Sequence, residues 1–362
     1  MEPGYLKAGV IDIELEITEM EYVYGPVPSR RLGQSLGVDP IPLKTCNWNC
    51  VYCQLGRTRP LTNKQMDYYP PRAILSEVEE ALNKHDEDDI DWITFVGSGE
   101  PSLHASLGWL IRRVKELTKL PVAVITNGTF LYLKYHRQEL AAADAVLPSL
   151  DAGNAHLYRK INRPHPDFSF ARHVEGLRTF SEHYPGKLWV EVMLVQGMND
   201  SEKELLDIAT VLRRIRPDEI HINLPTRPPV EVWVQPPDES GLNRARTIFG
   251  DIAKVVHPVN GTFDLGESDD LVNAIIGIIS RHPMRVDELK NTLNSYVPGK
   301  VVEALEKLHA SGRAKMVERY GIKFWVSVPS YFPNELHSRE KAPELKSLLK
   351  LSNRLNLHSR DE

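Results

Sequence analysis

Cysteine is almost absent from this sequence, with 3 residues in 362 and none after position 53. So few cannot staple a fold, and clustered unpaired thiols fit a reducing compartment, where disulfides are rare. Long apolar runs are missing too. None approaches the roughly 18 residues that a membrane span needs, so no membrane partner is expected. Charge of one sign is also lacking: 44 Lys and Arg against 49 Asp and Glu leave a formal net charge of −5. That balance exerts no global pull toward nucleic acid or an anionic membrane. The start, Met1-Glu2-Pro3-Gly4-Tyr5-Leu6, has neither a basic region nor an apolar one. No signal peptide is therefore expected, and the expected location is cytoplasmic. Apolar content of 41% and charged content of 26% are ordinary for a globular protein with a sizeable core. A length of 362 residues suggests two domains.

What cysteine there is stands together, as Cys46-Asn47-Trp48-Asn49-Cys50-Val51-Tyr52-Cys53. A C-x3-C-x2-C triplet puts three thiolates in one tight loop, close enough to hold three irons of a cubane iron–sulfur cluster. Such clusters normally take four Cys ligands, and no fourth cysteine exists here. One iron is then left open for a water, a substrate or a cofactor, which suits chemistry at the metal. Two other readings stand beside this one. A zinc ion could take the three thiolates and one of the 13 histidines in a tetrahedral site, or the thiols could simply pack in a core. The polar Asn47 and Asn49 fit a core poorly.

From about residue 35 to 262 short apolar runs alternate with amphipathic stretches. Strands are predicted at Leu36–Pro42, Trp92–Val96, Val122–Thr126, Ala145–Leu150, Leu188–Val195 and Glu219–Leu224, with helices such as Pro71–Asn83, Leu107–Leu117, Phe170–His183 and Ser201–Arg214 between them. This alternation implies βα units and a parallel sheet. About six units fall short of the eight of a full barrel, so an incomplete (β/α)6 TIM-like barrel is expected. Its reactive residues should sit at the C-terminal ends of the strands. Gly97-Ser98-Gly99-Glu100-Pro101 follows the second strand, and its glycines allow a ligand close to the backbone. Thr126-Asn127-Gly128 ends the third and Ser149-Leu150-Asp151 the fourth. Glu191 lies inside an apolar strand, where a charge needs a partner, and Asn223 closes the sixth. Arg30, Arg31, Arg163 and Arg227, with His165, are candidates for an anionic substrate near the mouth.

The triplet and its surroundings resemble the radical S-adenosylmethionine (radical SAM) superfamily. Tyr52 precedes the last cysteine, where that family keeps an aromatic residue beside the cofactor's adenine. The run Tyr24-Gly25-Pro26-Val27-Pro28-Ser29-Arg30-Arg31-Leu32-Gly33, then Ser35-Leu36-Gly37-Val38-Asp39, is similar to a branch labelled wyosine-synthase-like, many of whose members have no assigned substrate. The resemblance implies the same partial barrel, with a [4Fe–4S] cluster on Cys46, Cys50 and Cys53. It also implies S-adenosylmethionine bound by Tyr52, Gly97, Gly99, Glu100, Asn127, Ser149, Asp151, Glu191 and Asn223. One electron, from a reductant such as ferredoxin or flavodoxin, would cleave the cofactor to methionine and a 5′-deoxyadenosyl radical. No acid–base catalytic residue is required for that step. No cysteine remains for an auxiliary cluster or a methylated-cysteine mechanism, and authentic wyosine synthases carry a second cluster that this chain lacks.

The C-terminal part reads as a separate module. Gly266-Glu267-Ser268-Asp269-Asp270 offers helix-start chemistry before Leu271–Ser280. Arg285–Asn294 and Lys300–Ala310 follow as helices, and Ala314–Glu318 with Lys323–Val328 reads as a hairpin. This order resembles a winged helix-turn-helix. The expected division is a barrel with N-terminal extension over 1–262, a small α+β winged-helix domain over 263–330, and a peripheral tail over 331–362. Residues 268–328 hold nine Lys and Arg against seven Asp and Glu, far from a dense basic patch. Arg313, Lys315, Arg319 and Lys323 are its best nucleic-acid candidates, with protein contact or lid duty as the other uses. The leading expectation is therefore a radical SAM oxidoreductase acting on a tRNA base, a protein side chain or a small molecule. The other is a redox-sensing, nucleic-acid-binding regulator.

Overall fold

The computed structural model describes residues 22–256 and 271–328. The expected boundary near Thr262, the helix start at Gly266–Asp270 and the tail from Pro333 lie outside them.

The chain enters as an antiparallel hairpin, β1 (Val23–Ser29) and β2 (Gly33–Val38). From β2 onward each strand adds in parallel to its predecessor: β3 (Trp92–Phe95), β4 (Val122–Thr126), β5 (Ala145–Pro148), β6 (Lys187–Met193), β7 (Glu219–Asn223) and β8 (Ala253–Val255). The result is one sheet in sequential order with β1 and β8 as its two edges. Each crossover carries a helix: α1 (Pro71–Lys84), α2 (Leu107–Leu117), α3 (Lys134–Leu140), the pair α4 (Ala155–Ile161) and α5 (Phe170–Ser181), α6 (Glu202–Ile215) and α7 (Glu239–Phe249).

Local chemistry sets these bounds. Pro71 opens α1, where the missing N–H costs nothing. Asn154, Ser169, Ser201 and Asp238 each accept a backbone N–H at the start of α4, α5, α6 and α7. Glu202 and Glu204 in the first turn of α6, and Arg213 and Arg214 in its last, complement the helix dipole.

Alternation along the strands sorts two faces. Ile93, Phe95, Val122, Val124, Val190, Val192, Ile220 and Ile222 bury against helix residues such as Val78, Leu110, Val114, Leu177, Ile208 and Leu212. The other face carries Ala123, Ala145, Leu147 and Trp189. There the rings of Trp92 and Trp189 meet edge-on at 5.7 Å, although their strands β3 and β6 are three positions apart. In a flat sheet those strands would lie about 14 Å apart, so the inner face is strongly concave. That curvature is consistent with the expected partial barrel, and it draws the strand ends around one cavity.

Among the described residues seven strands run parallel, one more than the six expected. The edge strands β1 and β8 carry little sequence signal: Gly25, Pro26 and Pro28 in β1 read as a turn but suit a sheet edge, and β8 has three residues. The C-terminal region supplies α8 (Leu271–Arg281), β9 (Met284–Arg285), α9 (Val286–Tyr296), α10 (Val301–Ala310), β10 (Ala314–Arg319) and β11 (Ile322–Ser327). Its three strands form an antiparallel sheet in the order β10-β11-β9. Its core of Ile275, Ile279, Leu289, Leu305 and Leu308 also takes in Tyr24 and Val27 from β1, so the unit is packed onto the sheet's first edge. Among the described residues no helix is long and apolar enough to cross a membrane.

Ile93 is fully buried in β3, so Ile93→Ala should lower stability by about 2–5 kcal/mol through a lost methyl surface and a residual cavity. Urea unfolding of the purified chain measures it.

Candidate active site

The cysteine loop follows β2 and is strapped down before it reaches α1. Trp48 is buried and packs edge-on to Tyr158 and His173, each at 5.4 Å. The backbone of the loop bonds to the segment ending α4: Val51 N donates to Ile161 O at 2.9 Å, Asn49 N to Asn162 O at 3.0 Å, and His165 N to Asn47 O at 2.8 Å. This fastening turns Cys46, Cys50 and Cys53 into one cavity of about 240 Å³.

Each sulfur there meets an N–H donor. Lys44 Nζ lies 3.1 Å from Cys53 Sγ, Trp48 N lies 3.3 Å from Cys46 Sγ, and Asn162 Nδ2 lies 3.8 Å from Cys50 Sγ. Burial, followed by the field of Glu100, pushes the Cys46 thiol up to about 12, and burial raises Cys50 well above its ordinary value. Metal uptake would thus release protons from these thiols. Among the described residues no three His, Cys, Asp or Glu side chains converge as the shell of a single metal ion. All three cysteines line one cavity wall with an N–H donor near each sulfur, a setting that fits the ligands of an iron–sulfur cluster.

The turn after β3 faces the same cavity and is held at both ends. Lys44 N donates to Ser98 O at 2.6 Å and Glu100 N to Thr45 O at 2.9 Å. Glycine is required at both flanks. A Cβ on Gly97 would lie 2.2 Å from Asp39 Oδ1, and one on Gly99 would lie 1.9 Å from Thr45 O. Glu100 itself does not point free into the cavity. Its Oε1 accepts from Ser102 N at 3.0 Å, Ser102 Oγ at 2.6 Å and Thr126 Oγ1 at 2.5 Å, while Oε2 accepts from Asn127 N at 2.6 Å. One buried carboxylate thereby ties the β3 turn to the β4 turn. Burial raises its pKa and these donors oppose the rise.

Asn127 continues the chain of contacts. Its Nδ2 donates to Asn47 Oδ1 at 2.6 Å, joining the β4 turn to the cysteine loop. Tyr52 lines the cavity and donates to Asp151, which also accepts from Asn162 Nδ2 at 2.6 Å and Met193 N at 2.8 Å. Burial raises Asp151 to about 6.

The other predicted residues divide. Gly97, Gly99, Glu100, Asn127 and Ser149 line the cavity with the cysteines, and Arg30 and Arg227 stand on its rim. Glu191 ion-pairs with Arg31, whose Nη2 also donates to Asn223 Oδ1 at 3.3 Å. Arg163 pairs with Glu231, and His165 Nδ1 is 2.7 Å from Asn63 Nδ2 on an outer loop. Residues not anticipated are Lys44, Asn47, Asn162 and Asp39. Lys44 and Asn47 adjoin the triplet and could have been suspected. Asn162 reaches Cys50 from 112 positions away, which no local pattern announces.

Comparison with known proteins follows this geometry. The profile of the radical SAM superfamily matches residues 41–209. A UPF0026 protein of Methanocaldococcus jannaschii is 35% identical over 279 residues, covering 76% of this chain and 87% of that one. A protein named GTPase Obg from Brachyspira hyodysenteriae is 37% identical over 300 residues. That match covers 81% of this chain but only 43% of the relative. The crystal structure of a radical SAM methyltransferase from Sphaerobacter thermophilus aligns over 61% of this chain and 66% of its own, at 21% identity and a TM-score of 0.45.

Glu100→Ala should cost about 3 kcal/mol or more, because it strands several buried donors at once. Thermal and urea unfolding of the iron-free chain give the sign. A carboxylate held in reserve for a ligand would instead stabilise that chain when removed.

Proposed function

This chain belongs to the radical SAM superfamily, and from that premise we propose that Cys46, Cys50 and Cys53 hold one [4Fe–4S] cluster over which S-adenosylmethionine is cleaved to start radical chemistry. The chain is a radical SAM enzyme, and members of the superfamily use such a cluster and S-adenosylmethionine together with an external reductant. The observation that carries the reading is one cavity onto which three sulfurs, the β3 turn and the β4 turn all face, with an N–H donor at each sulfur. When bound, the cluster supplies the electron that splits S-adenosylmethionine into methionine and a 5′-deoxyadenosyl radical.

The chain's own residues have narrower tasks. The three thiolates would hold the cluster, and Lys44 and the backbone N–H of Trp48 would offset their charge. Gly97 and Gly99 let the β3 turn pack against Asp39 and the Thr45 carbonyl, which sets its backbone beside the cavity, where carbonyls could accept an ammonium. Tyr52, held by Asp151, offers an aromatic wall for the adenine. Glu100 and Asn127 act mainly as positioning residues, since their polar atoms are engaged with one another's loops. The reductant is of ferredoxin or flavodoxin type, and the location is cytoplasmic.

The division at about residue 262 and the winged-helix identity of the C-terminal unit belong to this proposal. Their support is the helix–strand–helix–helix–hairpin order. The expectation of a tRNA base or protein side chain as substrate depends on the wing, and Arg313 there is engaged with Asn273. The alternative of a redox-sensing regulator gains no support from the relatives.

Anaerobic reconstitution should load about four irons and four sulfides per chain, and Cys50→Ala should abolish the visible cluster absorption. With dithionite and S-adenosylmethionine the loaded enzyme should release 5′-deoxyadenosine, measured by chromatography. Tightly bound zinc without iron after anaerobic purification would overturn the reading. Asn127→Ala should keep its iron yet bind S-adenosylmethionine more weakly.

A further inference from the structure

Five arginines crowd the mouth of the barrel, and their partners divide them. Arg31 pairs with Glu191, Arg281 with Asp39 at 2.8 Å, and Arg285 with Glu288 at 3.2 Å. Among the described residues Arg30 and Arg227 have no carboxylate within ion-pair distance. Arg227 Nη1 is 3.0 Å from His282 Nδ1, and burial among arginines holds that histidine well below its ordinary range, hence neutral.

These two arginines are also the pair shared by all three cavities that meet here. One of about 240 Å³ faces the cysteines, one of about 180 Å³ lies under β1 and His282, and one of about 270 Å³ abuts the C-terminal unit. Burial, then Arg31 and Arg227, pulls Arg30 down to about 9. The fields of Glu191 and Glu288 favour the charged forms of Arg30 and Arg227, but neither carboxylate is close enough to form an ion pair, and partly desolvated like charges held this way are unfavourable. Such strain is kept where a ligand relieves it, at a cost in stability.

The C-terminal unit roofs this place. On the first edge of the sheet Arg281 binds Asp39 and its carbonyl accepts from Gln54 Nε2 at 2.9 Å. Toward the other edge Tyr320 donates to Val234 O, at 3.1 Å, in the loop after β7. The unit therefore touches both the start of the sheet and the loop after β7. It adds the Arg285–Glu288 pair and the largely apolar Tyr320, Ile322 and Phe324 to the lining of the third cavity. Cavities of a few hundred Å³ with apolar walls and a few convergent polar groups suit small molecules.

We propose that Arg30 and Arg227 bind the doubly charged oxyanion, a phosphate monoester or a dicarboxylate, of a small organic substrate held between the barrel and the C-terminal unit. Each guanidinium can present two parallel N–H groups to such an oxyanion. The remainder of the molecule reaches the cysteine cavity, so the proposal rests on reading that cavity as the radical SAM site.

The test titrates the full chain, with its cluster reconstituted anaerobically, with inorganic phosphate, succinate and acetate by calorimetry. At least one dianion should bind about tenfold or more tighter than acetate, and Arg30→Gln and Arg227→Gln should each weaken it at least about tenfold. The tighter of phosphate and succinate tells which oxyanion the pair accepts. Without ligand, Arg30→Gln should melt at or above the parent temperature, because it removes an unpaired charge; a merely structural arginine would melt lower. S-adenosylmethionine is titrated in parallel. Its weakening by the same factor in both variants would assign the arginines to the cofactor's carboxylate and overturn the proposal. So would equal binding of dianion and acetate, or dianion affinity unchanged by both substitutions. Bulk tRNA that binds and loses affinity in the variants, with no dianion binding, would move the site to nucleic-acid phosphate. Failure of the parent chain itself to load iron would remove the cluster reading, whereas phosphate binding that persists in that iron-free chain would still support the anion site, so the two fail separately.

Discussion

One buried carboxylate, Asp39 at the end of β2, joins three parts of the chain that must meet for this site to exist. It is 2% exposed and accepts from Ser98 N at 3.1 Å and Ser98 Oγ at 2.6 Å, which fixes the β3 turn. It also receives Arg281 Nε at 2.8 Å from the last residue of α8. A buried ion pair is a poor source of net stability, but losing one partner leaves a stranded charge costing about 3–5 kcal/mol. The constraint is thus one of arrangement. The C-terminal unit cannot shift at Arg281 without disturbing the turn that flanks the cysteines.

A second carboxylate extends the same logic inward. Glu100 links the β3 and β4 turns, Asn127 links the β4 turn to Asn47, and Asn162 links the loop after α4 to Cys50. Side chains that look like cofactor ligands on paper are in large part supports for other supports. Such outer contacts orient metal ligands and tune the metal they hold. The cysteine loop, which has no regular secondary structure across most of its length, is held instead by backbone bonds to a loop more than 100 residues later.

Where the network ends, direct ion pairing ends as well. Arg31, Arg281 and Arg285 have carboxylates, whereas Arg30 and Arg227 face the cavities. A molecule selected for stability alone would not keep two such groups beside each other. Their position at the junction of the cavities marks where a negatively charged partner completes the charge balance.

The sequence by itself determined the cysteine triplet, the alternation of β2 through β7 with their helices, and the C-terminal helices and hairpin, because each is written in local spacing. The glycines of the β3 turn were legible for the same reason, a short motif at a strand end. Tertiary structure alone decided the rest. It made Pro-containing Val23–Ser29 an edge strand, since pairing and not propensity decides such a segment. It turned Glu100 from a free carboxylate into a tie, and gave Glu191 to Arg31 across the barrel interior. It also sorted five similar arginines of the described residues into three with ion pairs and two without. Ion-pair partners here are up to 242 positions apart, and only the curvature of the sheet brings them within reach.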